Sequence, residues 1–261
     1  MSDPNHLVAV EAGVARVILN RPEVHNALDD KLIADLSATL ERIAADPAVR
    51  VVMLTGQGGS FCAGGDLAWM RRTADYTYEQ NLADAQSLAR LLRLLNSFPR
   101  PTLALVNGPA YGGGVGLIAC CDIAIAADSA KFSLSEVRLG LIPATISPYV
   151  VRKIGEGSAR RYFLTGEVFE AADAEKLGLV HEVVPVDELA GAADWFFKRL
   201  REGGPQAQAA AKQLIARVAG APIDEALMED TARRIAEQRA TPEGKEGAEA
   251  FLAKRKPRWQ S

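Results

Sequence analysis

Pro101-Thr102-Leu103-Ala104-Leu105-Val106-Asn107-Gly108-Pro109-Ala110-Tyr111-Gly112-Gly113-Gly114-Val115-Gly116 decides the fold of this chain. A short apolar run over residues 101–106 breaks into a glycine-rich turn and resumes as an apolar helix through Gly116 to Cys120. Parallel strands need crossover connections, so a strand that feeds a helix in this way is a unit of an α/β fold with largely parallel pairing. Clustered glycines also free backbone N–H groups for close approach to a ligand. Some twenty residues on stands an isolated carboxylate, Glu136, in Ser135-Glu136-Val137-Arg138-Leu139-Gly140-Leu141-Ile142-Pro143. A carboxylate in an apolar setting can act as a proton-transfer group.

The same unit occurs upstream. Residues 49–55 are a β-branched run bounded by Gly56-Gln57-Gly58-Gly59, as expected of a buried parallel strand. Ser60-Phe61-Cys62-Ala63-Gly64-Gly65-Asp66-Leu67 then leads from small residues toward a helix. Farther out, residues 7–10 and 14–19 read as a hairpin across Glu11-Ala12-Gly13. A helix starts near Asn26-Ala27-Leu28-Asp29-Asp30, carries Leu32, Leu36, Leu40 and Ile43 at helical spacing, and ends at Asp46-Pro47. A second helix is expected over residues 78–96 and a strand over 123–126; the course of residues 69–80 does not follow from their pattern. Beyond about Gly203 the chain turns alanine-rich and charged, with amphipathic helices over 207–218 and 223–239. The expected organisation is an α/β core over residues 1–200 and a helical oligomerisation region over 201–261.

Composition narrows the function. The 261 residues, 48% of them hydrophobic, suffice to bury a sizeable core. A formal charge of −3 with both signs interspersed gives no electrostatic reason to expect nucleic acid or an anionic membrane as partner. The three cysteines, Cys62, Cys120 and Cys121, show no CxxC or Cys/His ligand spacing, so they read as small buried residues of a reducing compartment, and no metal is expected. No basic segment leads into an apolar run at the N-terminus and no apolar stretch is long enough to span a membrane. A cytoplasmic location is expected.

Two glycine turns that each follow a strand can each offer one N–H to the same carbonyl oxygen. That is an oxyanion hole, which stabilises developing enolate charge by roughly 3 to 4 kcal/mol per donor. A dinucleotide site fits less well, because the GxGxxG spacing after the first strand and a later ribose-binding acid are lacking.

Several stretches together resemble the enoyl-CoA hydratase/isomerase (crotonase) family: residues 20–28 (Asn20-Arg21-Pro22 through Leu28), Phe61 through Leu67, Asn107 through Gly116, Cys121-Asp122-Ile123-Ala124, Leu139-Gly140-Leu141-Ile142-Pro143, Leu164-Thr165-Gly166, residues 174–180, and Phe251 with Lys254. They run over nearly the whole chain in family order. The resemblance implies a spiral of ββα units around an acyl-CoA thioester site, a helical C-terminal trimerisation region, and a homotrimer or a hexamer built as a dimer of trimers. Coenzyme A enters as part of the substrate, so no separate cofactor is expected. Carried over by motif, the N–H groups of Ala63 and Gly113 hold the thioester oxygen, and Glu136 is the acid/base. Asp66 and Leu67 lie toward the nucleotide end of CoA, and Phe251 and Lys254 reach CoA across a subunit boundary. His25 precedes a helix where family members often carry a basic residue able to meet a CoA phosphate; a plain loop histidine is the equal alternative.

This chain departs from the family at Gly116, where a first catalytic glutamate stands in two-glutamate hydratases. One carboxylate can still take a proton from water as oxygen adds to C3 and return a proton to C2; it also suffices for Δ3/Δ2 double-bond isomerisation. A third reading is an acyl-CoA-binding protein without turnover. The Leu134 through Val150 stretch resembles a branch that hydrates methylglutaconyl-CoA and isohexenylglutaconyl-CoA, in leucine and acyclic terpene breakdown. Its mark is Ala144-Thr145-Ile146-Ser147-Pro148 in place of a glycine-rich stretch. For a substrate with a distal carboxylate, Arg138 is the candidate cation, being close in sequence to Glu136. His181 reads as a strand-end residue.

Overall fold

The computed structural model describes residues 4–260. Strands β1 (His6–Glu11) and β2 (Val14–Leu19) form the expected antiparallel hairpin, turning through Ala12 and Gly13, both at positive φ. Helix α1 (Asp30–Ala45) follows; the Asp29 carboxylate accepts the Leu32 N–H at 2.7 Å and so satisfies one of its free N-terminal donors. Leu32, Ile33, Leu36, Leu40 and Ile43 form its buried stripe. Strand β3 (Val51–Gly56) leads through the first glycine turn into α2 (Leu67–Thr73) and α3 (Tyr78–Asn96). Strand β4 (Thr102–Val106) leads through β5 (Ala110–Tyr111) and the second glycine turn into α4 (Gly113–Cys120).

The remainder alternates short strands with helices: β6 (Ile123–Ala127), β7 (Lys131–Ser133), α5 (Ser147–Thr165), β8 (Val168–Glu170), α6 (Ala171–Lys176), β9 (Glu182–Val184) and α7 (Leu189–Glu202). Helices α8 (Pro205–Val218), α9 (Glu225–Ala240) and α10 (Pro242–Leu252) close the chain. No helix among the described residues is long and apolar enough to cross a membrane.

The main sheet has the order β1-β2-β3-β4-β6-β9, and every pair after the first hairpin is parallel. Its central strands are buried on both faces, which explains why β3 reads as an unbroken apolar run rather than an alternating one. Val52 and Leu54 pack toward α1, α3 and α4, whereas Val51 and Met53 pack toward Leu189, Ala193 and Phe197 of α7. A second sheet, β5-β7-β8, carries the chain from the glycine turn toward Glu136. Its strands are only two or three residues long, too short for periodicity to reveal. Residues 69–80, whose course does not follow from their sequence, form most of α2 and the start of α3. The Thr77 hydroxyl and the Gln80 side chain make a reciprocal cap at the α3 N-terminus, and Trp69 Nε1 donates to Asp84 at 3.1 Å.

Candidate active site

Segment 61–65 runs alongside segment 109–114. The N–H groups of Phe61 and Cys62 donate to the Pro109 carbonyl at 3.1 and 3.2 Å, and the Tyr111 N–H donates to the Cys62 carbonyl at 2.9 Å. The contact is so close that a Cβ on Gly64 would stand 2.9 Å from the Tyr111 carbonyl oxygen and 3.7 Å from the Gly113 nitrogen. Gly64 also sits at φ +87°, a conformation that only glycine adopts without strain. The two turns are therefore one structure.

The donors within it differ from expectation at one position. The N–H of Ala63 is not available to a ligand, because it donates to the His25 carbonyl at 3.0 Å. His25 and Asn26, both at positive φ, turn the chain back to make that bond. The available donor on this turn is two residues on. Leu28 pairs with Gly65 in a parallel bridge that engages the Gly64 carbonyl and the Asp66 N–H, so the Gly65 N–H points the other way, and Gly65 is exposed. Gly113 is the first residue of α4, where an N–H has no partner in its own helix. Among the described residues, neither the Gly65 nor the Gly113 N–H has a hydrogen-bond acceptor. Met70 and Trp69 lie 3.6 Å from the position of a Gly65 Cβ, so apolar side chains flank this donor.

A polar framework holds the first turn. Asn26 is fully buried and satisfied: its Oδ1 accepts the Arg21 N–H at 2.9 Å, and its Nδ2 donates to the carbonyls of Gln57 and Ser60 at 2.9 and 2.8 Å. Arg21 donates to the Ala27 carbonyl and pairs with Asp29 and Asp66 at 3.1 and 3.0 Å. Asp66, expected to serve the substrate, is 5% exposed. Its carboxylate accepts the Ala68 and Trp69 N–H groups as the cap of α2. Burial alone raises its pKa, but the Trp69 N–H and the Arg21 charge outweigh burial and lower it. With its oxygens so engaged, Asp66 belongs to the scaffold.

Glu136 sits on a single 3₁₀ turn, Ser135–Leu139, that ends at Gly140 in the left-handed conformation. Its Oε1 lies 2.9 Å from the point where a Cβ on Gly112 would stand, and its Oε2 is buried without a hydrogen-bond partner among the described residues. Burial raises its pKa, only partly offset by its own backbone N–H. No charged side chain among the described residues contributes to that shift. Arg138, two residues away, is exposed and donates from Nε to the Thr165 carbonyl at 3.3 Å. It thus serves the carbonyl end of α5 and not the Glu136 carboxylate.

Gly116, whose position in the motif would set it beside the substrate, is buried and faces protein. The side chain of Ile146 fills the place where a side chain on residue 116 would go: the Ile146 Cβ is 2.9 Å from the point a Cβ on Gly116 would occupy, and the Ile146 Cγ2 overlaps that point. Sequence reasoning does not single out Ile146, although it lies in the segment that departs from the family after Pro143. That coincidence of two departures is the signal that could identify it.

The remaining candidates are peripheral in this single chain. His25 is exposed and its Nδ1 lies 3.0 Å from the Ser60 hydroxyl. Leu67 and Phe251 are 73% and 83% exposed, and Lys254 is exposed beyond α10 at φ 53°. His181 adjoins β9 and its Nδ1 accepts the Ala124 N–H at 3.1 Å. Burial pushes the Cys62 and Cys121 thiols up to about 12, and raises Cys120 as well, so all three are held as inert thiols.

Known proteins share this fold and much of its sequence. The profile of the enoyl-CoA hydratase/isomerase family matches residues 9–261. The crotonyl-CoA hydratase of Syntrophomonas wolfei is 33% identical over 98% of both chains. The crystal structure of an enoyl-CoA hydratase from Shewanella pealeana is 44% identical, with a TM-score of 0.96 over 98% of this chain and 96% of that one. Pseudomonas aeruginosa AtuE is 38% identical, with a TM-score of 0.95 over 99% of this chain and 100% of its own.

Proposed function

The chain belongs to the enoyl-CoA hydratase/isomerase family, and from that premise we propose that it hydrates the 2,3 double bond of an enoyl-CoA. The observation that carries the reading is the meeting of two glycine turns, with a free N–H at Gly65 in one and at Gly113 in the other, and the Glu136 carboxylate against Gly112 of the second. In the proposed reaction the thioester oxygen accepts both N–H groups. Glu136, ionised, takes a proton from water while the hydroxyl oxygen bonds to C3, and the C2–C3 π pair moves into the thioester enolate. The resulting Glu136 carboxyl then gives its proton to C2. Water has been added, and the carboxylate is regenerated. Two donors aimed at the enolate oxygen stabilise it by roughly 3 to 4 kcal/mol each.

A second reading, Δ3/Δ2 isomerisation, is favoured by one observation: an isoleucine and not a carboxylate covers Gly116. Removing a proton from C2 and returning it to C4 needs only one base. A spectrophotometric assay separates the two. Hydration of a 2-enoyl-CoA makes the absorbance of the conjugated thioester fall, and isomerisation of a 3-enoyl-CoA makes it rise. Binding of CoA thioesters with neither change would leave an acyl-CoA-binding protein without turnover.

The finer proposal is a branched, glutaconyl-type acyl group, supported by the likeness of residues 144–148 to the branch that hydrates such substrates. Comparison of kcat/KM for 3-methylglutaconyl-CoA and crotonyl-CoA tests it; a preference for crotonyl-CoA ends it. We also propose a homotrimer or hexamer assembled through residues 201–261, supported by Ile215, Ile223, Met228, Phe251 and Leu252, each of which is more than half exposed. Sedimentation as a monomer at micromolar concentration would remove that proposal.

A further inference from the structure

Gly112 and Gly116 lie one turn apart at the start of α4, with the Gly116 N–H donating to the Gly112 carbonyl at 3.1 Å. Gly112 is the non-helical residue that precedes α4, at φ 46° and ψ −113°, so this hydrogen bond and not a shared helix face joins the two glycines. Glu136 lies over the first of these glycines, its Oε1 2.9 Å from a Gly112 Cβ position. Ile146 lies over the second, with Leu92 Cδ2 at 3.5 Å from the same Cβ position. The carboxylate and the isoleucine thus lie over two glycines that one backbone hydrogen bond joins, delivered by the 3₁₀ turn and by the residue that caps α5. Ile146 is 2% exposed, and the carboxylate oxygen Oε2 is buried without a hydrogen-bond partner among the described residues.

We infer that Ile146 is a positioning residue for the reaction: it occupies the place of any side chain on residue 116 and closes the apolar wall beside Glu136, leaving Glu136 as the single proton-transfer group. The inference rests on the reading of Glu136 as acid/base in the proposed function. It joins two departures from the family in one packing contact, because isoleucine at 146 leaves room only for glycine at 116. The charge environment agrees. Arg138 on the turn itself is held by the Thr165 carbonyl, and Glu167, which pairs with Arg161, lies within reach of the Arg138 charge. None of these enters the electrostatics of Glu136, whose pKa is raised by burial before anything else.

The test has a structural and a titration arm. In the first, thermal unfolding is compared for Gly116→Ala, Ile146→Ala and the double variant. The added Cβ should destabilise the wild-type background and be better accommodated once Ile146→Ala has removed the overlapping Cγ2, with only the residue 146 Cβ at 2.9 Å left to give way, so that the double variant is more stable than the sum of the two losses predicts. In the second, the Glu136 carboxyl is followed by carbon-13 NMR titration, with Glu136→Gln as the blank, together with the acid limb of kcat/KM against pH. Ile146→Ala should let water reach the carboxylate and shift both to lower pH. Ile146→Val, which keeps the Cγ2 over Gly116, should shift them less and covers the case in which Ile146→Ala folds poorly. Strict additivity in the first arm, or an unmoved Glu136 titration in the second, overturns the inference. Absence of turnover with an intact NMR shift instead overturns the proposed reaction and leaves the packing inference standing.

Discussion

The Oε1 atom of Glu136 lies 2.9 Å from the point where a Cβ on Gly112 would stand, so the carboxylate rests directly on the glycine turn. Gly112 is at φ +46° and ψ −113°, and it passes the chain from the end of β5 into α4. Gly112→Ala combines an unfavourable backbone, costing about 1–3 kcal/mol, with a collision that displaces the carboxylate. We expect a clear fall in melting temperature and a loss of about 100-fold in kcat, the order associated with a misplacement of about 1 Å. A variant with wild-type kcat would show that the close fit has no part in turnover.

Glu136→Gln separates activity from stability. On the proposed mechanism kcat falls about 100- to 10,000-fold. Because the folded state raises the Glu136 pKa, burial favours the protonated acid: that contribution is full below the unfolded-state pKa and is lost as pH rises through the folded-state value. The glutamine variant, neutral throughout, should therefore be more stable than wild type above the raised pKa, with the difference closing as pH falls. Denaturant melts at several pH values check this; a difference that grows toward acid would show the opposite sign of shift.

The two glycine turns predict which backbone donor matters. Replacing the Gly65 amide with an ester by semisynthesis removes the N–H without adding an atom, and should lower kcat about 100- to 1,000-fold. The same exchange at Ala63 removes only the bond to the His25 carbonyl. It should reduce stability and spare kcat. Reversal of these two results would restore Ala63 as the donor.

Asp66 joins the cap of α2 to Arg21. Loss of a cap costs about 0.5–2 kcal/mol, and Asp66→Ala also leaves a nearly buried guanidinium with one carboxylate partner fewer, so urea unfolding should show a loss of about 2 kcal/mol. An unchanged midpoint would mean that Asp29 alone suffices for Arg21.

Arg138 is engaged by the Thr165 carbonyl on the exposed side of its turn. Arg138→Leu should leave KM for glutaconyl-type and crotonyl thioesters alike unchanged, and should reduce stability by less than about 1 kcal/mol. A KM that rises only for the dicarboxylic substrate would assign the distal carboxylate to Arg138 after all.

The long elements are legible because their signals are local. The unbroken apolar run of β3, the stripe Leu32, Leu36, Leu40 and Ile43, and the helix Tyr78–Asn96 follow from periodicity and caps. The short strands β5, β7 and β8 do not show, since two or three residues carry no period, whereas β9 is signalled only by the strand-end reading of His181. Glu136 and Gly113 can be singled out from motif position. Ala63 and Gly65 cannot be told apart, because which of two nearby N–H groups is free depends on the partner that the other one finds.

The sequence by itself determined the alternation of strands and helices, the two glycine turns and the single carboxylate after them, since backbone permissiveness and hydrophobic period are properties of neighbouring residues. Tertiary structure alone decided that the Ala63 N–H goes to His25, that Gly65 and Gly113 keep theirs, that Asp66 serves Arg21 and a helix cap, and that Ile146 covers Gly116. Each of these joins segments that are distant in the chain, or depends on such a pairing. Direction, burial and steric exclusion at a site arise only when distant segments meet, and no local pattern encodes them.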